Sequence, residues 1–117
     1  MAIINVTEEN FDELLEQHDL IVFDFWAPWC APCKGFSQVC AELSETNPDV
    51  AFLAINIEDQ KPLADEFAVQ SVPWVMMMRS RVVLYADSGA LSKSSLQELI
   101  DQARSMDPTA LKAAQNQ

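Results

Sequence analysis

Apolar side chains occupy both odd and even positions in two short runs of the chain, Leu20 to Trp26 (LIVFDFW) and Val50 to Ile57 (VAFLAINI). A strand covered on both faces has that pattern, whereas a strand with one wet face alternates. Both runs therefore read as central strands, and only Asp24 breaks the first of them. Ile3 to Val6 reads as a short opening strand. Thr7 is placed to cap a helix that sets Phe11, Leu14 and Leu15 on one face, with Glu8 and Glu9 at its positive end. A second helix runs from about Cys30 to a stop at Asn47-Pro48, with Phe36, Val39, Cys40 and Leu43 at inward spacing. Pro62 opens a third helix through Ala68 that turns Leu63 and Phe67 inward, before Ser71-Val72-Pro73 interrupts it.

Trp74 to Met78 (WVMMM) and Arg81 to Ala86 (RVVLYA) follow as strands whose connection is short enough to require an antiparallel hairpin. Arg79-Ser80 is the expected turn, and it has neither the glycine nor the asparagine such turns favour. Beyond Gly89, Ser92 caps a last helix with Leu96, Leu99, Ile100 and Ala103 as its apolar stripe, ending at Asp107-Pro108. The order β, α, β, α, β, α, β, β, α predicts an α/β fold. Its mixed sheet has parallel strands early, a hairpin late and helices on both faces. One domain, residues 1–106, is expected, with 107–117 a polar and frayed tail.

The 117 residues, half of them hydrophobic, suffice for a core without disulfide staples or a structural metal. The apolar runs are too short to span a bilayer, and no basic start followed by an apolar stretch marks a signal peptide, so a cytoplasmic protein is expected. A net charge of −11 is a poor match to the phosphates of nucleic acid. The charge is uneven, −12 over residues 1–66 and +1 over residues 67–117, which is read as a solvated acidic side.

Three cysteines, two of them in Cys30-Ala31-Pro32-Cys33, do not make a secreted disulfide scaffold. With Cys30 at the first turn of a helix, free backbone N–H groups and the helix dipole favour its thiolate and hold its pKa below the free value of about 8.5. The thiolate is the species that attacks disulfides. Cys33, one turn deeper on the same side, is within reach of a disulfide with Cys30 and is the natural resolving thiol. Pro32 is tolerated at a first-turn position and stiffens the loop. Lys34 lies near the pair, as a solvated lysine or as electrostatic support for a thiolate. A zinc half-site completed by Cys40 and His18, and a pair of inert buried thiols, are the alternatives at this point. Asp24 in an apolar strand must be paired or protonated, and the raised pKa that burial brings suits a group passing a proton to or from the resolving sulfur. A hydrogen-bonded structural aspartate is the other reading.

FDFWAPWCAPCK at 23–34, Val72-Pro73 some forty residues on, and Gly89-Ala90-Leu91-Ser92-Lys93 before the last helix together resemble the thioredoxin family. The likeness covers residues 2 to about 105 in order and spacing. It implies a thioredoxin fold, a central five-stranded mixed sheet flanked by four helices, and thiol-disulfide exchange with no cofactor and no metal. By resemblance Cys30 attacks, Cys33 resolves, Asp24 lies beneath the dithiol as its proton group, and Pro73 is cis beside the pair. Trp29, Val72, Pro73, Gly89 and Ala90 then rim a shallow apolar groove in which Val72 offers its backbone to extended substrate, while Trp26 packs under the active-site loop. Disulfide-containing proteins and a separate thioredoxin-reductase-like electron donor are the implied partners, and a monomer is the expected state. Four positions depart from the family: Ala31 stands where glycine is usual, Gln38 where a proline often kinks the helix, Ala54 where a lysine neighbours the buried aspartate, and Trp74 where a threonine often follows the cis proline. Without that cation Asp24 is expected to hold its proton to higher pH, and Trp74 to reshape the groove. A thioredoxin-fold binding module with dispensable thiols is the rival reading.

Overall fold

The computed structural model describes residues 3–106. In chain order it has β1 (Ile3–Asn5), α1 (Phe11–Gln17), β2 (Leu20–Trp26), α2 (Ala31–Thr46), β3 (Val50–Asn56), α3 (Lys61–Glu66), β4 (Trp74–Arg79), β5 (Val82–Ser88) and α4 (Lys93–Arg104). The expected tail at 107–117, and the stop at Asp107-Pro108, lie outside the described residues. The sheet order is β1-β3-β2-β4-β5, with β1, β3 and β2 parallel and β4 and β5 antiparallel. No helix among the described residues is long and apolar enough to cross a membrane.

The two-sided runs are central strands, and their parity sorts the core into two layers. Ile21, Phe23 and Phe25 of β2, with Leu53 and Ile55 of β3, pack against Phe11, Leu14 and Leu15 of α1 and Leu63 of α3. Leu20 and Val22, with Val50 and Phe52, face the other way onto Phe36, Cys40 and Leu43 of α2 and Leu96, Ile100 and Ala103 of α4. Met76 and Met78 join the first layer and Met77 the second. Asp24 shares its parity with Leu20 and Val22, so the carboxylate lies on the sheet face that α2 covers.

Two local expectations are corrected. Thr7 does not cap α1; the helix starts at Phe11 behind Asn10, whose side chain makes no cap hydrogen bond. Thr7 and Asn10 instead close the preceding turn reciprocally, Thr7 N–H donating to Asn10 Oδ1 and Asn10 N–H to Thr7 Oγ1, at 2.8 and 3.3 Å. This is the capping-box pattern displaced by one turn. The hairpin turn falls one residue later than expected, on Ser80 and Arg81, with φ of 53° and 68°. Two successive left-handed residues are the type I′ geometry, here without glycine or asparagine. Asp19 holds Ser80 in place, accepting from its hydroxyl at 2.6 Å and its N–H through the Asp19 carbonyl at 2.9 Å. Arg81→Gly is expected to stabilise the protein by about 0.5–1 kcal/mol, because glycine pays no Cβ penalty at positive φ. An unchanged or lower urea midpoint would count against that account of the turn.

Candidate active site at the start of α2

The parallel strands β2 and β3 end side by side, Phe25 opposite Ile55 and Trp26 opposite Asn56. The chain leaving β2 turns at Ala27, whose carbonyl accepts the Cys30 N–H at 3.1 Å, and α2 begins one residue later. Cys30 is thus the N-cap of α2, in extended conformation (φ −92°, ψ 107°), and its sulfur accepts the Cys33 N–H at 3.2 Å. Pro32 lies in the first turn, which carries no acidic residue. A free helix N–H aimed at the sulfur, with the positive end of the dipole behind it, stabilises sulfur as an anion.

Cys30 and Cys33 form a disulfide, with Cα atoms 5.3 Å apart. Both residues are buried and pack with Ala27 against Trp26, Ile57 and Val72. This small apolar cluster brings the cis-proline loop onto the dithiol: the Val72–Pro73 peptide is cis, and the Gly89 N–H donates to the Pro73 carbonyl at 2.9 Å. Among the described residues, neither the N–H nor the C=O of Val72 has a backbone partner. Gly89 (φ 112°) and Ala90 are exposed beside it. The glycine holds a left-handed conformation that a side chain would strain.

Trp29 is 67% exposed, a large apolar surface offered to solvent next to the disulfide. Its indole Nε1 donates to the Glu58 carboxylate in the loop after β3. Trp26 is half-buried under the loop, as expected. Lys34 is exposed and, with Trp26, Pro28, Cys33 and Ser37, lines a cleft of about 290 Å³. Trp74 is half-buried, its ring packed edge-on against Phe25 with centroids 5.2 Å apart, on the α1/α3 layer that Val72 also joins.

Asp24 is 5% exposed and makes a single hydrogen bond, accepted at Oδ2 from the Ser37 hydroxyl at 3.2 Å. Its Oδ1 is buried without a protein partner. The β3 residue opposite is Ala54, so no cation reaches the carboxylate from that strand. Burial pushes the carboxyl up to about 6, against a smaller downward pull from the Ser37 hydroxyl. Cys40 is 2% exposed; burial first, and the Asp24 charge second, push its thiol up, so it stays protonated and inert. His18 caps the far end of α1. Among the described residues no three His, Cys, Asp or Glu side chains gather as a metal site.

The structure therefore gathers Cys30, Cys33, Trp26 and Val72 directly, brings Pro73 in through its cis peptide bond to Val72, and reaches Asp24 only through Ser37, which lines the same cleft as Cys33. Sequence reasoning missed two members. Ser37 stands four residues after Cys33, one turn along the same helix face, a spacing that could have revealed it. Glu58 follows β3 at the carboxyl edge of the parallel strands, where α/β sites form.

Against known proteins, a family profile described as Thioredoxin matches residues 2–102. The chain is 38% identical over 111 residues to "Putative thioredoxin 2" of Streptomyces coelicolor, covering 95% of this chain and 83% of that protein. It is 31% identical over 102 residues to "Thioredoxin" of Haemophilus influenzae, covering 86% and 95%. The fold matches a mutant thioredoxin from Halobacterium salinarum with a TM-score of 0.84 over 92% of this chain and 95% of that one, at 24% identity.

Proposed function

Because this chain belongs to the thioredoxin family of thiol-disulfide oxidoreductases, we propose that it reduces protein disulfides with Cys30 as attacking and Cys33 as resolving thiol. The observation that carries these roles is Cys30 at the N-cap of α2, its sulfur receiving the Cys33 N–H at 3.2 Å. The Cys30 thiolate attacks one sulfur of a substrate disulfide. A Cys30–substrate S–S bond forms, the substrate S–S bond breaks, and the other substrate sulfur leaves with the electron pair and takes a proton from solvent. Cys33 then gives up its proton, with Asp24 as final acceptor, and attacks the Cys30 sulfur. The Cys30–Cys33 disulfide forms and the second substrate thiolate leaves.

Substrate approaches along a groove rimmed by Trp29, Val72, Pro73, Gly89 and Ala90. The unpaired backbone groups of Val72 suit a short stretch of strand-like pairing that recognises main chain rather than sequence. Pro32 stiffens the loop and Lys34 adds positive potential beside the sulfurs. A separate reductase returns the dithiol, and the protein works as a monomer in the reducing cytoplasm, where such a pair serves exchange rather than permanent cross-linking. Cys33→Ser protein incubated with disulfide-bonded insulin is expected to accumulate a mixed disulfide through Cys30, seen as an adduct on non-reducing gels and by mass. Adducts mapping to Cys40, or none at all, would refute the assignment.

A further inference from the structure

The carboxylate assigned to accept the Cys33 proton makes no hydrogen bond to either sulfur; the one it makes is to Ser37. Two spaces lie on either side of that hydroxyl. The outer one is the solvent-open cleft of about 290 Å³ with Cys33 in its wall, and Ser37 forms part of the same wall. The inner one, about 70 Å³, lies between α2 and the sheet and holds Asp24, Cys40, Ala54 and again Ser37 in its lining. Ser37 is common to both. Ser37 is an exposed residue, and its hydroxyl donates to Asp24 Oδ2.

We propose that Ser37 is the proton relay between the resolving thiol and Asp24, a step that deepens the function given above and rests on its assignment of Cys33. When Cys33 resolves the mixed disulfide, its S–H proton passes to cleft water, a proton of that water passes to Ser37 Oγ, and the Ser37 proton passes to Asp24 Oδ2. Cys33 thiolate then bonds to Cys30, and the substrate thiolate leaves with the electron pair. Each relay member regains its own proton count, and Asp24 ends neutral. No basic side chain lines the inner space, where Ala54 stands: its titratable groups are Asp24 and Cys40 alone, and Cys40 keeps its proton, which leaves the Ser37 hydroxyl as the one polar neighbour of Asp24 in that lining.

Reduced protein mixed with 5,5′-dithiobis(2-nitrobenzoate) releases coloured thiolate twice, first as Cys30 attacks and again as Cys33 resolves. Ser37→Ala is expected to slow the second phase about 10-fold near pH 7, a share of the 10²–10⁴ general acid–base catalysis supplies, and to leave the first phase unchanged. Ser37→Thr keeps the hydroxyl and the wild-type second phase. In an Asp24→Asn background, Ser37→Ala causes no further loss. The pH midpoint of the second phase rises in Ser37→Ala, because the hydroxyl pulls the Asp24 pKa down. A second phase within twofold of wild type, equal slowing of both phases, or the same fold-loss in the Asp24→Asn background overturns the relay alone. Release of only one equivalent by the wild-type protein overturns the assignment of Cys33, and the relay with it.

Discussion

Cys30→Ser is expected to bring insulin reduction down to the rate of free thiol in the buffer, a loss of at least about 10³-fold. The size follows from where the sulfur lies. Cys30 is the N-cap of α2, and the Cys33 N–H reaches its sulfur at 3.2 Å. No acidic side chain stands in the first turn to oppose a negative charge. A hydroxyl in that position has a pKa far above any working pH and supplies almost no anion, so attack stops at its first step. Cys33, inside the first turn of α2 and not at its N-cap, lacks the N–H that its own backbone gives to the Cys30 sulfur, and is the poorer entering nucleophile. Cys40 cannot either, since burial holds its thiol protonated. Activity in Cys30→Ser above one tenth of wild type would end the proposed chemistry. It would favour instead a thioredoxin-fold module that binds partners without exchanging thiols.

The same residues show where the sequence is informative. Strand β2 announces itself because Ile21, Phe23 and Phe25 feed one core layer while Leu20 and Val22 feed the other, and both parities must then be apolar. The dithiol is legible because helix geometry ties residues three apart, so the disulfide follows from local structure alone. Asp24 is legible as an exception in an apolar run. Its environment is not, because the Ser37 contact crosses 13 positions and depends on how α2 lies over the sheet. The Trp29–Glu58 bond spans 29 positions and depends on the same packing. Local signals fail where two solutions compete for one stretch: Thr7 and Asn10 both carry capping side chains, and the turn they close together displaces the helix start. The hairpin slips by one residue because Asp19, sixty-one positions from Ser80, holds a turn that its own residues do not favour.

Asp24→Asn is expected to change the pH dependence of stability more than any other single substitution in the site. In the oxidised protein the carboxyl has a pKa of about 6, raised from 3.8 chiefly by burial. Between those two values the folded state binds more protons than the unfolded one, so wild-type stability falls as pH rises from about 4 through 6 and stays lower above. The shift corresponds to about 3 kcal/mol. Asparagine removes the titration but adds a buried amide whose unmatched N–H groups cost about 1–3 kcal/mol, a term that does not vary with pH. The two effects separate cleanly when stability is followed across the range. The difference between Asp24→Asn and wild type should move in the variant's favour by about 3 kcal/mol from pH 3.5 to pH 8, with its midpoint between 4 and 6, whatever its offset. Denaturant unfolding of both oxidised proteins at each pH measures it. A difference that stays flat would mean the carboxylate is hydrated in the folded state. That would remove the physical reason for treating Asp24 as a proton acceptor, because a group as well solvated as a surface aspartate would be too weak a base to draw a proton from Cys33.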